Sequence, residues 1–313
     1  MPTGPSVPLA DGSISLAERS DPLVVDPDRP LLSGIIGTYR DAYPGVVDPD
    51  LAALRDAAAD ETDPRTPSPD LPTLTVLADE DVIDSATDGF HASSRLAALT
   101  EPGTIELLTL ADPQPNVVLA GEATGCVLVE DDGDDGGDGG DGDDGDDAGE
   151  TEADTTASRH RVGNDPTLRD RYEAVVDAAP TNRLRTPSRH RIYGAFVDRC
   201  ESSVAADVIR LLDAAPDLSG DDVVDPRVRA YVVGARHGVL DHDLRRACED
   251  AGLGSPSTFT RVKRQLIDAE LVDTERVPQP VGRPRERVVA KPALAQPPLS
   301  TVAESVRTAL ENE

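Results

Sequence analysis

Between Glu130 and Glu150 the chain is almost entirely aspartate and glycine. Such a run has no apolar surface to offset the conformational entropy lost on ordering, so it predicts a disordered insertion over 130–157 that no hydrophobic core can include. Folded structure must be assembled on either side of it. Asp-Gly repeats also occur in calcium sites, but a β-roll needs an apolar residue in every nonapeptide, and an EF-hand needs a closing Glu and flanking helices. Asp131 to Asp147 supplies neither, so the run reads as a solvating loop.

The 313 residues, 38% of them hydrophobic, suffice for two modest domains. Asp and Glu number 60 against 30 Lys and Arg, for a net charge of −30, and lysine occurs only at Lys263 and Lys291. With three Phe and no Trp, this composition predicts adaptation to a salt-saturated cytoplasm. At molar salt the screening length is roughly 3 Å, so surface carboxylates do not repel a polyanion at distance, and the acidic balance does not exclude nucleic acid as a partner. No stretch approaches the roughly 18 to 20 apolar residues of a membrane span, and the first cation is Arg19; the expectation is a soluble, cytoplasmic protein. Cys126, Cys200 and Cys248 are scattered and read as reduced, mostly buried thiols.

Residues 1–20 mix Pro, Gly and Ser and predict a flexible tail. From 21 to 180, strand and helix alternate. Strands are predicted at Pro22–Val25, Leu74–Leu77 and Thr104–Leu110, and helices at Leu31–Tyr43, Asp50–Ala59 and Gly89–Leu99. Val117–Ala120 and Cys126–Val129 flank Gly121 to Thr124 as a hairpin, and His160–Val162 returns as a strand beyond the acidic run. Asp165-Pro166 has the form of an N-cap followed by proline at the first helical position. These features predict an α/β domain, followed by linker helices over 181–220.

The 221–291 segment carries the functional signal. Asp225-Pro226 opens a helix stopped by His237-Gly238, a second runs from Asp241 to Ala251, and Ser255-Pro256 opens a third that lasts to Glu270. On the third, Phe259, Val262, Leu266 and Ala269 share one face, so Ser257, Arg261 and Arg264 project from the other, flanked by Thr258, Thr260, Lys263 and Gln265. Such side chains match the donors and acceptors that bases present in a major groove. Alone, an amphipathic helix with solvated arginines would account for them better than DNA reading does. A strand at Leu271–Val277, a turn at Pro278–Gly282 and a returning strand at Glu286–Val289 then form a wing. Arg276, Arg283, Arg285, Arg287 and Lys291 outnumber the single acid Glu286 there, reversing the sign of the chain as a whole. Arg283-Pro284-Arg285 is suited to a narrow, negative minor groove, although arginines paired with surface carboxylates would give the same composition.

Gly254 to Leu266, Leu271 to Pro278 and Val281 to Arg285 resemble the C-terminal winged helix-turn-helix of the haloarchaeal TbsP family of transcriptional regulators. The likeness extends collinearly back to Leu23, through Thr75–Leu110 and Leu184 to Pro187. It implies an α/β N-terminal sensor-like domain, an α+β winged helix-turn-helix C-terminal domain, and control of transcription, with sugar-metabolism genes as targets. Under it the recognition helix begins at Ser255, and Gly282 to Arg285 is the wing. The expected partners are promoter DNA, a small-molecule effector and a second copy of the chain, with no cofactor. The acidic run, the proline-rich start and the tail depart from the family. In a C-terminal helical tail over 292–313, Thr301 to Glu304 has capping-box spacing, with Val302, Val306 and Leu310 on one face to pack on the domain or on a second subunit.

Two other classes compete. An enzyme would show a nucleophile elbow, a phosphate-binding loop, a dinucleotide fingerprint or a zinc-protease motif, and none is present. His237, His242 and Cys248 are near in sequence, but zinc needs about four converging ligands. The other alternative is an interaction adaptor, or a metabolite-binding protein, that does not bind DNA.

Overall fold

The computed structural model describes residues 4–10, 12–60, 71–130, 159–214, 224–279 and 284–311; the acidic run therefore lies outside the described residues. The chain opens with a hairpin of β1 (Ser6–Leu9) and β2 (Gly12–Ser15). A six-stranded sheet follows, built from β3 (Leu23–Val25), β4 (Leu74–Ala78), β5 (Ile105–Thr109), β6 (Val117–Ala120), β7 (Gly125–Glu130) and β8 (Arg159–Val162). Its spatial order is β5-β4-β3-β6-β7-β8, parallel among β3, β4 and β5 and antiparallel from β3 outward to β8. Six helices accompany it: α1 (Arg29–Ala42), α2 (Pro44–Val47), α3 (Leu51–Ala59), α4 (Glu80–Ala86), α5 (Phe90–Thr100) and α6 (Leu168–Ala178).

Alternation along the strands divides the apolar side chains between two faces. Val24, Val76, Leu107 and Leu119 join Leu32, Ile35 and Tyr39 of α1 and Leu96 and Leu99 of α5 in one core. Leu23, Val25, Leu77, Leu108 and Val118 point the other way, onto Leu168 of α6. Side-chain caps set the helix starts: Asp28 accepts from the Leu31 amide at 2.9 Å, and Asp50 from the Ala53 amide at 2.8 Å.

Two N-terminal expectations are corrected and one helix is added. Within the flexible tail expected over 1–20, the described residues 4–10 and 12–20 are structured, because Val7, Ile14 and Leu16 enter the first core and the Ala10 amide donates to the Arg159 carbonyl at 2.8 Å. Helix α4 was not anticipated; Asp79 caps it through the Asp81 amide at 2.8 Å. Helix α6 starts at Leu168 rather than Pro166, because Asp165 turns its carboxylate onto the Thr167 amide and hydroxyl while its own amide donates to the Gly125 carbonyl.

The remaining elements are α7 (Arg189–Arg199), α8 (Ser202–Asp213), α9 (Pro226–Arg236), α10 (Asp241–Asp250), α11 (Pro256–Asp268), the antiparallel pair β9 (Val272–Val277) and β10 (Arg285–Ala290), α12 (Pro292–Ala295) and α13 (Leu299–Glu311). They share one core, including Phe196, Leu212, Tyr231, Leu244, Phe259, Val288 and Val306. The helices over 181–220 are therefore part of the C-terminal domain and not a linker: α8 alone buries seven residues. The C-terminal tail joins the same core through Leu294, Val302 and Val306, with Leu310 packed against it. Thr301 is no N-cap, since α13 begins at Leu299 and both the amide and the hydroxyl of Thr301 donate to the Pro298 carbonyl at 3.0 Å. The fold is a mixed-sheet α/β domain followed by a helical helix-turn-helix domain with a small hairpin.

Candidate nucleic-acid interface

Helix α9 starts where the Asp225 carboxylate accepts from the Arg227 amide at 2.8 Å, with Pro226 in its first turn, and it ends before Gly238 at φ +63°. Gly234 lets α10 approach: a Cβ there would lie 2.4 Å from Leu244 Cδ1. Helix α10 ends before Gly252, φ +83°, and Ser255 then caps α11 through the Thr258 amide at 3.3 Å. Phe259, Val262 and Leu266 are buried, and the Phe259 ring stacks on Tyr231 of α9 at 6.3 Å between centroids.

The opposite face of α11 is open. Ser257, Thr260, Arg261, Arg264 and Gln265 are exposed and Thr258 is half-buried. Among the described residues, Arg261 and Arg264 have no hydrogen-bond or ion-pair partner. The Ser257 and Thr258 hydroxyls lie 2.8 and 3.1 Å from Ser255 Oγ, and Thr260 donates to the Pro256 carbonyl at 2.9 Å. Each of these oxygens retains acceptor capacity.

Beside this face stands the hairpin. Its β10 strand is fastened to the α9–α10 loop by the Val288 amide donating to the Val239 carbonyl at 3.1 Å, and Arg287 lies over Gly238. Arg276 on β9 and Arg285 and Arg287 on β10 are exposed; Arg285 reaches Asp243 at 3.8 Å. Arg283 and Gly282 lie outside the described residues.

Lys263, expected among the groove contacts, is engaged within the domain. Its Nζ sits 2.6 Å from Glu286 Oε2 on β10 and 3.5 Å from Asp241 Oδ1, with the side chain only 17% exposed. Asp241 itself, 5% exposed, accepts from Tyr231 Oη and pairs with Arg245 Nη2 at 2.9 Å. Burial first, then the adjacent Asp241 carboxylate, pushes the Tyr231 phenol far above its ordinary range, so it stays a donor. One carboxylate thus ties α9, α10 and α11 together, and Lys263 extends the tie to the hairpin. Sequence reasoning saw Asp241 only as a helix start; an acid at N1 facing a tyrosine ten residues back was the available signal.

The dispersed histidines do not converge. His237 Nε2 meets Asp207 at 2.9 Å and His242 Nδ1 meets Asp243 at 3.0 Å, while Cys248 is fully buried and burial drives its thiol pKa well up. Among the described residues no group of three or more His, Cys, Asp or Glu side chains is placed to hold a metal. No helix among them is long and apolar enough to cross a membrane.

Two helices meeting across a short turn, the second presenting an open polar and basic face, define a helix-turn-helix protein of the DNA-binding regulator class. Comparison with known families agrees. Residues 188–307 match the C-terminal HTH domain of TbsP-like transcriptional regulators, and residues 38–138 match the N-terminal domain of the same family. The matches are collinear and together cover more than half the chain, which belongs to the TbsP-like transcriptional regulators and is not an enzyme. No characterised protein and no solved structure matches significantly.

Proposed function

We propose that the chain regulates promoters by placing α11 in the major groove, where Ser257, Thr258, Thr260, Arg261, Arg264 and Gln265 read base edges, and by laying the hairpin along the backbone or minor groove. Arg276, Arg283, Arg285 and Arg287 supply the hairpin's contacts. The observation that carries this reading is the pair Arg261 and Arg264 on an exposed helix face, without partners among the described residues, in a chain whose net charge is −30. Cations left unpaired amid that excess of carboxylate are available to a polyanion.

The family resemblance extends the proposal to genes of sugar and central carbon metabolism, to a small-molecule effector sensed by the N-terminal domain, and to action as a homodimer in the cytoplasm of a halophile. Two-fold symmetric half-sites about one helical turn apart would follow from such a dimer.

The test is genome-wide mapping of bound DNA with and without sugar in the medium, followed by fluorescence anisotropy on the recovered site. Arg261→Ala and Arg264→Ala are each expected to weaken specific binding by about 1 to 3 kcal/mol and to relax base preference. Equal weakening on every sequence would demote both to phosphate contacts. Full retention of affinity by the double variant would exclude α11 as the reading element, and recovery of no bound DNA at all would favour the adaptor.

A further inference from the structure

Between the N-terminal sheet and the helix-turn-helix lies a cavity of about 560 Å³, within the range of small-molecule sites. One wall is the segment 181–187. The Thr109 amide donates to the Pro180 carbonyl at 2.9 Å and the Asn182 amide to the Leu107 carbonyl at 2.8 Å, so the segment runs along the free edge of β5. Leu184 packs into the N-terminal core, and the alternation of an extended chain leaves Arg183 and Arg185 exposed. Among the described residues neither arginine has a hydrogen-bond or ion-pair partner.

Arg191 of α7 faces the same cavity. Glu101 and Glu106 are the carboxylates on its lining. Glu101 is already engaged: the Ser188 hydroxyl donates to one oxygen at 2.5 Å, the Ser188 amide to the other at 3.2 Å, and Arg191 Nη1 stands 3.6 Å away. Three guanidiniums against two carboxylates, Glu101 and Glu106, give a lining of net positive sign. Planar guanidiniums bind phosphate and carboxylate oxygens in pairs, with a specificity a lone ammonium lacks.

The far side of Arg191 touches the turn that precedes the recognition helix. Its Nε donates to the Asp250 carbonyl at 3.2 Å, and a Cβ on Gly252 would lie 3.0 Å from its Cζ. The guanidinium therefore lies flat against the backbone between α10 and α11, with only a loose 3.6 Å pair holding it on the sheet side. A ligand that engages Arg191 would compete with its bond to the Asp250 carbonyl, and such a differential interaction is the requirement for shifting an equilibrium.

We propose that this cavity binds a small oxyanion ligand, phosphate- or carboxylate-bearing, through Arg183, Arg185 and Arg191, and that Arg191 transmits occupancy to the Asp250–Gly252 turn. The regulatory half of this inference rests on the DNA-binding reading above; the binding half does not.

The test uses the full chain without DNA, at one fixed potassium chloride concentration. Calorimetric titration with inorganic phosphate and, separately, with citrate is expected to give saturable binding of at least one probe, and the stronger probe identifies the anion class. Arg183→Ala/Arg185→Ala is expected to weaken that binding by about tenfold or more at unchanged melting temperature. Hydrogen exchange in the 250–255 turn is expected to change on adding the probe, and Arg191→Lys, compared with the wild type at equal occupancy by the probe, to lose that change. Lack of saturation by both probes below about 10 mM, or wild-type affinity in the double variant, overturns the site. An unaltered turn in the saturated protein overturns the transmission. None of these readouts requires DNA, so failure of α11 to bind a promoter would leave them interpretable.

Discussion

Replacing Asp241 with Asn tests whether one buried carboxylate organises the helix-turn-helix. The group is 5% exposed and serves Tyr231, Arg245 and Lys263 at once. All three partners are donors. An amide keeps a single acceptor oxygen and turns an NH2 toward one of them, so at least one buried donor loses its acceptor and two cations lose their counter-charge. Charge-assisted hydrogen bonds contribute about 1.5 to 3 kcal/mol each, and stripping one partner from a buried pair costs about 3 to 5 kcal/mol. Arg245 is 34% exposed and can rotate into water, so its share is discounted, and Lys263 keeps Glu286. The expected loss is about 2 to 3 kcal/mol. It would be read from guanidinium denaturation of the full chain by far-ultraviolet circular dichroism, with hydrogen exchange localising the loss to α9 through α11. Asp243→Asn, two residues further along α10 and engaged only by the partly exposed His242 at 3.0 Å and Arg285 at 3.8 Å, is the control and should change stability by no more than about 0.5 kcal/mol. If Asp241→Asn matched that control, the three-helix tie would carry no energetic weight and the argument for it would fail.

Lys263→Met should cost about 1 to 2 kcal/mol of stability while changing DNA affinity per folded molecule far less than Arg261→Ala; a selective loss of base discrimination would return Lys263 to the groove. Asp48 is raised by burial, but Arg95 at 2.6 Å and Arg189 at 2.7 Å outweigh that and hold its carboxyl below the ordinary value near 3.8. Its stabilisation is therefore fully present above that value and is lost as pH falls through the lower folded value; unfolding measured across this acid range should show a flatter slope in Asp48→Asn, and an identical slope would contradict the pairing. Specific DNA binding is expected to persist at about 2 M KCl, where counterion release is nearly exhausted, and Arg283→Ala with Arg285→Ala is expected to abolish it there. Loss of wild-type binding by about 0.5 M, with the protein still folded, would refute the dependence on groove contacts.

Much of the fold was legible because its signals are local. The Asp225-Pro226 and Ser255-Pro256 pairs fixed two helix starts, and the 3.6-residue spacing of Phe259, Val262 and Leu266 separated the buried face of α11 from its open one. The same logic failed at Asp165-Pro166, where a contact with β7, some forty residues earlier, takes the Asp165 amide and the carboxylate closes a local turn instead. The first hairpin escaped notice because each short strand buries little, Val7 on one and Ile14 on the other, amid residues typical of a tail. Lys263 could not be placed from its neighbours: its side chain is claimed by Glu286, 23 residues away, and by Asp241 on another helix. Likewise, the union of α7, α8 and α13 with the DNA-binding helices depends on which apolar faces meet, and a periodic pattern supplies the face but not its mate.

Leu54 of α3 is 1% exposed, yet the core it occupies is that of the helix-turn-helix domain, with Leu51 and Ala58 packed alongside. A helix from the first half of the chain thus completes the second. A fragment cut at the start of the matched C-terminal domain would carry an uncovered hole where α3 belongs. Grafting this DNA-binding half onto a foreign sensor would require carrying α3 with it or filling that hole. The two halves therefore do not behave as interchangeable modules, and an insertion or deletion between α3 and α7 must conserve their docking. Such a constraint favours inheritance of the pair as a single unit, with variation confined to loops that leave the shared core intact.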